Sequence, residues 1–134
     1  MYTLGVRRDF ITRHYLVGGD WGPENFPNSH HYVLELRLNA AELDVHGYLV
    51  DIVEVSRHLD ELISYFGEVM LNDLPEFRGL NPSLEHFARI LTKELDRRIQ
   101  APNIIHIKVC LWENDHAWAA YELEKTPAEG AAAI

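Results

Sequence analysis

Two histidines stand at the ends of neighbouring segments that have the character of β-strands. His14 closes the first segment and His30 opens the second, so pairing of the strands would bring both imidazoles to one end of a sheet. Histidine is the commonest metal ligand, and a catalytic zinc ion generally has three protein ligands and one open position. The pair is half of a plausible zinc site, although this pattern alone is more often that of surface or core histidines.

A carboxylate closes another strand-like segment. Glu113 follows four apolar residues spaced at intervals of two, which predict one buried strand face: Ile105, Ile107, Val109 and Leu111. Its two oxygens match two parallel N–H donors, such as those on the N–C–N edge of a heterocycle. The alternative, which the residues alone favour, is a turn residue in the acidic run that begins at Glu113.

The strands that would position these side chains follow from their residue patterns. The first covers about residues 2–16 and is followed by a loop at 17–27. Alternation of apolar and polar residues predicts half-buried strands at 30–38 and 104–112, and a last strand at 117–123.

Two amphipathic helices are predicted between the second and third strands. The first, at about residues 51–66, has an apolar stripe at steps of three and four: Ile52, Val55, Leu59, Leu62 and Phe66. The second begins with Asn81 as its cap and Pro82 at its first position. Its stripe consists of Leu84, Phe87, Ala88, Leu91 and Leu95.

The predicted order is β-β-α-α-β-β, which indicates an α+β fold. Two hairpins flank two helices, so the sheet should have four antiparallel strands with both helices on one face. The other face and two edges would stay open and favour assembly, so we expect an oligomer. One domain at 1–125 accounts for all the elements, and the tail at 126–134 is expected to be disordered.

The overall composition restricts the partners of the chain. It has 134 residues, 47% of them apolar, and a net charge of −9, which disfavours nucleic acid. No apolar run reaches the roughly 18–20 residues that span a bilayer, so no membrane partner is expected. The N-terminus has no signal-peptide pattern, and the single cysteine, Cys110, cannot form an internal disulfide. The cytoplasm is the expected location.

The chain contains three short motifs: Asn28-Ser29-His30-His31-Tyr32, Leu71-Asn72-Asp73 and Asn81-Pro82-Ser83-Leu84-Glu85. They resemble motifs of the 6-pyruvoyl-tetrahydropterin and 6-carboxy-tetrahydropterin synthases, whose tunnelling fold has the same element order. The family's His-Gly-His-Asn-Tyr motif aligns with Asn28-Ser29-His30-His31-Tyr32. Its Leu-Asn-Asp and Asn-Pro-Thr-Ser-Glu motifs align with Leu71-Asn72-Asp73 and Asn81-Pro82-Ser83-Leu84-Glu85.

Single residues extend the resemblance over about residues 2–123. The family's zinc histidine matches His14, its helix-opening aspartate matches Asp51, and its pterin-binding glutamate matches Glu113. The resemblance implies that His14 and His30 bind zinc and that Glu113 holds the aminopyrimidine edge of a pterin. It also implies a homohexamer in which neighbouring subunits share each site.

The chain departs from the family at the catalytic centre. Asn28 replaces the first histidine of the motif, and asparagine is a poor zinc ligand. Glu24 stands in place of the catalytic cysteine, and Gly67-Glu68-Val69 replaces an Asp-His pair. Glu24 is open to three interpretations: a general base, the missing third zinc ligand, or a surface residue of a decayed site. Glu68 could supply a second proton-transfer group.

The resemblance leads us to expect a zinc-dependent carbon–oxygen lyase that acts on the side chain of 7,8-dihydroneopterin triphosphate. Glu24 would move protons, and the residues expected to bind substrate are Glu113, Ser83, Glu85 and Arg13, the last through phosphate. A glutamate in place of the cysteine is known in a branch of the family that resembles folate-pathway enzymes and releases 6-hydroxymethyl-dihydropterin, which gives one alternative. The others are a pterin- or purine-binding module without catalysis and a relative of the same fold with a new reaction on another bicyclic ring.

Overall fold

The computed structural model describes residues 1–125, and the prediction of a disordered tail lies outside them. No helix in this part of the chain has the length and apolar character needed to cross a bilayer. The strands and helices follow the predicted order, with these bounds: β1 Tyr2–His14, β2 Asn28–Ala40, α1 Ile52–Phe66, α2 Leu84–Arg98, β3 Ile104–Trp112 and β4 Trp118–Glu124.

The four strands form one antiparallel sheet in the order β1-β2-β3-β4, which confirms the predicted fold class. The β1–β2 register places Phe10 opposite Tyr32 and His14 opposite Asn28. β1 and β4 are the outer strands. Near the end of β1, its outer edge pairs with residues 68–70, because the Glu68 amide donates to the Ile11 carbonyl and the Arg13 amide donates to the Val69 carbonyl. The outer edge of β4 has no strand partner in the described chain.

The core lies between the helices and one face of the sheet. From Tyr32 onward, every second residue of β2 is buried: Tyr32, Leu34, Leu36, Leu38 and Ala40. The predicted helix stripes are buried too, except at their N-terminal ends, where Ile52 is 50% exposed and Leu84 is half-buried. Burial of apolar surface on this face is the main contribution to stability.

The apolar phase of β3 differs from the prediction at its beginning. Ile104 is buried at 1% exposure, whereas Ile105 is only half-buried. The β2–β3 register shifts between Asn39 and Ala40, which places one extra β3 residue opposite this point. Such a bulge reverses the alternation locally, so the face containing Ile107 continues at Ile104.

The second helix begins later than predicted. Its cap is Ser83, whose hydroxyl accepts a hydrogen bond from the His86 amide, and Leu84 is its first residue. Asn81 does not cap the helix because its side-chain oxygen accepts a hydrogen bond from the Val17 amide, 2.8 Å away. The side chain expected to begin a helix thus holds the loop after β1.

The loop between β1 and β2 contains a short 3₁₀ helix, Gly22–Asn25, that the sequence patterns did not predict. Asparagine side chains hold this loop. Asn72 accepts from the Tyr15 amide at 3.0 Å and donates to the Tyr15 carbonyl at 2.9 Å. Asn25 donates to the carbonyls of Leu16 and Gly19. The loop therefore has a fixed path from β1 to β2.

Candidate metal centre

Two histidines and one carboxylate converge at the end of β1 and β2. His14 Nε2 lies 3.1 Å from a carboxylate oxygen of Glu24, and His30 Nε2 lies 3.4 Å from its other oxygen. One ligand atom from each of the three residues can be chosen so that all lie within 4.8 Å of one another. The convergence of His14 and His30 that was inferred from strand pairing is thus present, and Glu24 joins them.

These three donors suit a zinc ion. Two imidazole nitrogens and one carboxylate oxygen form a known type of catalytic zinc site, which leaves a fourth position open. In a tetrahedral site with ordinary zinc–ligand bonds, neighbouring ligand atoms are about 3.3 Å apart. From one and the same Glu24 oxygen, the separations to Nε2 of His14 and to Nε2 of His30 are 3.1 and 3.5 Å, close to that value.

The backbone explains why these side chains meet. Thr12 pairs with His30 and His14 pairs with Asn28, so both histidines lie on the helix-facing side of the sheet, two rows apart along β1 and β2. Glu24 lies in the 3₁₀ helix, and its carbonyl accepts a hydrogen bond from the Leu16 amide at 2.7 Å. This hydrogen bond holds the 3₁₀ helix close to the end of β1.

The two histidines keep Glu24 in its charged form. Burial raises the pKa of Glu24, but hydrogen bonds from His14 and His30 and their charges outweigh it, so its pKa is lowered from 4.5. The carboxylate is therefore ionised at neutral pH, as a metal ligand must be.

Asn28 occupies the place of the missing third histidine. Its side-chain nitrogen donates to the carbonyl of Phe26 at 2.8 Å and more weakly to that of Glu24. Its side-chain oxygen is buried and has no hydrogen-bond partner in the described chain. A buried acceptor without a partner is uncommon, so this oxygen is suited to receive a donor from a bound molecule.

Tyr32 is a residue of the site that sequence reasoning missed. Its hydroxyl lies 3.5 Å from Nδ1 of His14. Burial, together with the charges of Glu113 and Glu24, raises the pKa of Tyr32 far above its usual value, so the phenol stays neutral. Its position in the motif, two residues after His30 in a strand, was the available signal, because such residues share a face.

Glu113 lies near the metal centre without joining it. It is half-buried just beyond β3, and its amide donates to the Ala117 carbonyl in the β3–β4 turn. Its charge contributes to the raised pKa of Tyr32, the residue whose hydroxyl faces His14. Within residues 1–125, no side chain donates a hydrogen bond to this carboxylate, so its oxygens are available to a ligand.

The other predicted site residues lie apart from the three metal-centre residues. Glu68 is exposed, with a left-handed backbone (φ 56°), and its amide donates to the Ile11 carbonyl. Ser83 caps α2, and Glu85 is exposed in its first turn. Arg13 is exposed, and strand alternation directs its side chain to the sheet face opposite His14.

Solved structures share this fold. A 6-pyruvoyl tetrahydropterin synthase from Caenorhabditis elegans aligns with a TM-score of 0.76 at 18% identity, over 90% of this chain and 94% of its own. The enzyme from Plasmodium falciparum aligns with a TM-score of 0.77 at 11% identity, over 92% and 98%. A Plasmodium vivax enzyme in which a catalytic glutamate is changed to alanine aligns with a TM-score of 0.75 at 13% identity, over 92% and 98%. At these identities the likeness establishes the fold.

The family follows from the sequence itself. A search among curated proteins finds no significant match. The family model described as 6-pyruvoyl tetrahydropterin synthase, however, matches residues 3–124, nearly the whole described chain. The chain therefore belongs to the 6-pyruvoyl tetrahydropterin synthase family.

Proposed function

We propose that this protein is a zinc-dependent lyase acting on the three-carbon side chain of a dihydropterin, with 7,8-dihydroneopterin triphosphate as its substrate. Family membership supports the pterin substrate. The observation that carries the proposal is the convergence of His14, Glu24 and His30, because it supplies three zinc ligands although the family's first motif histidine is absent.

His14, His30 and Glu24 would hold the zinc ion. When bound, zinc supplies a Lewis acid that polarises the oxygens of the substrate side chain and so acidifies the adjacent C–H groups. As one of these ligands, the Glu24 carboxylate would supply a negative charge that partly offsets the positive charge of the divalent cation. The Tyr32 hydroxyl and the Asn28 side-chain oxygen provide two further polar groups for a ligand or its water.

Glu24 would also move protons. The structurally similar P. vivax enzyme has a catalytic glutamate, which supports a reactive role for a glutamate in this fold. A carboxylate has two oxygens, so one can bind a metal while the other accepts a proton from the substrate. Glu68 is a weaker candidate for the second proton-transfer group, because it is exposed and lies outside the metal cluster.

Substrate would be held around this centre by the remaining predicted residues. The open carboxylate of Glu113 would accept hydrogen bonds from the aminopyrimidine edge of the pterin. Ser83 and Glu85, at the first turn of α2, would contact the ring. Because Arg13 lies on the opposite face of the sheet from its own metal centre, it would bind the phosphate of a substrate in a neighbouring subunit.

The first experiment is elemental analysis of zinc in the purified protein and three variants. We expect about one zinc per chain in the wild type and near-complete loss in His30→Ala and Glu24→Ala. The matched control is His31→Ala. His31 is adjacent to His30 in sequence, but its side chain is exposed and its ring is hydrogen-bonded to Asp9. Zinc retained in Glu24→Ala would remove Glu24 from the ligand set and leave it as a base only.

The second experiment tests the reaction. Zinc-loaded protein is incubated with 7,8-dihydroneopterin triphosphate, and the pterin products are identified by mass spectrometry. A 6-pyruvoyl or 6-carboxy product supports the proposed reaction, and 6-hydroxymethyl-dihydropterin would identify the side-chain-cleaving alternative. Failure to bind or convert any dihydropterin would refute the proposed function.

A pterin- or purine-binding module without catalysis is the second candidate. It is favoured by the exposed position of Glu68, which leaves the described site without an evident replacement for the family's catalytic histidine. This candidate predicts tight binding that Glu113→Gln abolishes, together with no product under any metal condition. Turnover by the zinc-loaded wild type would exclude it.

We also propose that the protein is a homohexamer with sites shared between subunits. Family membership supports an oligomer. The two outer strands of the sheet provide backbone edges for association. Exposed apolar residues on the open sheet face, Ile11 and Trp118, support contact with further subunits.

A further inference from the structure

Both ring nitrogens of His14 face a partner inside the protein. Nε2 lies 3.1 Å from a carboxylate oxygen of Glu24, and Nδ1 lies 3.5 Å from the hydroxyl oxygen of Tyr32. His14 is 3% exposed and Tyr32 is 2% exposed, so bulk water has little access to either group. The imidazole therefore has two defined hydrogen-bonding directions, one toward the metal centre and one toward the phenol.

The single proton of a neutral imidazole must occupy different nitrogens with and without a metal. Without a metal, Nε2 faces an ionised carboxylate that can only accept, so Nε2 carries the proton and Nδ1 accepts from Tyr32. A ligand nitrogen needs its lone pair for the metal. When Nε2 of His14 binds a metal, the proton is on Nδ1 and the Tyr32 oxygen must accept it.

We propose that Tyr32 is a positioning residue that reverses its hydrogen bond with His14, donating to Nδ1 without metal and accepting from Nδ1 with metal. This inference rests on the metal centre of the proposed function. The usual partners of metal-binding histidines, carboxylates and backbone carbonyls, only accept, whereas a hydroxyl both donates and accepts. The phenol therefore suits both states and holds the ring in one orientation.

The core fixes the Tyr32 ring. It stacks on Phe10 with 5.6 Å between ring centroids and meets Phe87 edge to face at 5.3 Å. Phenylalanine can make the same ring contacts, so Tyr32→Phe removes the hydroxyl with little change in packing. This variant therefore isolates the proposed hydrogen bond.

Zinc affinity and the His14 tautomer test the proposal. Zinc is titrated against a chromophoric chelator in the wild type, in Tyr32→Phe and in the control Tyr65→Phe. In the wild type the Tyr65 hydroxyl donates to Glu76, so the control removes a tyrosine hydroxyl that does not contact His14. We expect Tyr32→Phe to bind zinc about 10–100-fold more weakly and Tyr65→Phe to match the wild type. Long-range ¹H–¹⁵N NMR of histidine-labelled wild type should show the His14 proton on Nε2 without zinc and on Nδ1 with zinc.

The outcomes separate this proposal from the metal centre itself. Equal zinc affinity in the wild type and Tyr32→Phe would overturn the role of Tyr32 and leave the metal centre intact. A His14 proton on Nδ1 both with and without zinc would also overturn the reversal and leave the metal centre intact. A proton that stays on Nε2 with zinc bound would instead remove Nε2 of His14 from the ligand set. If the wild type binds no zinc, the metal centre is wrong and the role of Tyr32 falls with it.

Discussion

Glu24 and Asn28 are the two residues at which this metal centre differs from the family pattern. Asn28 removes one imidazole, and Glu24, four residues earlier, places a carboxylate within 3.1–3.5 Å of both remaining histidines. In the proposed zinc site the two changes compensate in the number of ligands, because a neutral donor is exchanged for an anionic one. The remaining site has a lower net charge when a divalent cation is bound.

This compensation predicts that restoring the histidine makes Glu24 less important. We expect Glu24→Gln to lower zinc affinity strongly in the wild type and much less in an Asn28→His background, where a third imidazole is available. The expected coupling between the two substitutions is about 1–3 kcal/mol, in the range for residues that share a partner. Zinc titrations of the four proteins of this double-mutant cycle measure it, and additive effects would contradict a shared ligand position.

The sequence predicted the two histidines of the site better than its other members. His14 and His30 lie on strands, where alternation and pairing determine which side chains meet. Glu24 lies in a loop, so its three interpretations remained open until the path of the loop was known. The role of Tyr32 depends on a contact between its hydroxyl and one particular nitrogen of His14, which no residue pattern specifies.

At the scale of elements, asparagine side chains determine the position of the loop that carries Glu24. Asn72 makes two hydrogen bonds to the backbone of Tyr15, the residue that follows His14. The Leu-Asn-Asp motif therefore has a structural explanation, because a primary amide can satisfy both an N–H and a C=O group of the same residue. A substitution of Asn72 should therefore shift the backbone of Tyr15 and with it the position of His14 in the metal centre.

Asn72→Ala is expected to cost about 1–3 kcal/mol of unfolding free energy and to weaken zinc binding, because it leaves two backbone groups without partners. Asn103→Ala is the matched control. Asn103 also makes two backbone hydrogen bonds, to the carbonyls of Glu42 and Leu49, far from the metal centre in the fold. Urea denaturation should show a lower unfolding free energy in both variants. Zinc titration should show weaker binding only in Asn72→Ala. A zinc affinity of Asn72→Ala equal to that of the wild type would show that these loop hydrogen bonds do not affect the metal centre.

The open face of the sheet carries an ion cluster across β1 and β2. Glu35 bonds to Arg7 at 2.8 Å and also to Arg37. Burial raises the pKa of Glu35, but hydrogen bonds and charges from the two arginines outweigh it, so its pKa is lowered from 4.5. A carboxyl with a lowered folded-state pKa stabilises the protein above its unfolded pKa, and this contribution is lost as the pH falls through the folded value.

Glu35→Gln should therefore destabilise the protein at pH 7 and have a smaller effect below pH of about 4. The arginines are half-exposed or more, so we expect about 1 kcal/mol at pH 7. Urea denaturation at several pH values and one protein concentration measures the difference from the wild type. Glu42→Gln, at an exposed carboxylate without an ion pair in the described chain, is the control. If the difference in unfolding free energy did not change with pH, Glu35→Gln would act through packing and not through the charge of Glu35.

The elements were predictable where one physical pattern dominated. The apolar stripes of both helices and the alternation of β2 identified their buried faces, because each faces one continuous core. Two predictions were wrong for a shared reason: which residues are buried at the beginning of β3, and the residue at which α2 begins. The bulge opposite Asn39 and the use of Asn81 by the Val17 amide are tertiary contacts, and local sequence does not encode them.

At the scale of the whole molecule, the two outer strands determine how chains can associate. The Lys125 amide donates to the Ile105 carbonyl of β3. Because backbone groups of a strand alternate in direction, the amide of Ala120 points away from β3, toward the open edge. Association through this edge would use that amide, whereas the fold of the single chain does not need it.

Ala120→Pro is therefore expected to reduce the size of the assembly in sedimentation velocity, because proline removes this outward donor without breaking the β3–β4 ladder. Ala120→Val keeps the donor and is the control. His14, Glu24 and His30 belong to one chain, so the smaller particle should keep about one zinc per chain. Its pterin affinity should fall, since we propose that subunits share the substrate site. An unchanged particle would exclude pairing through β4, and zinc lost together with assembly would show that the metal centre needs a second chain.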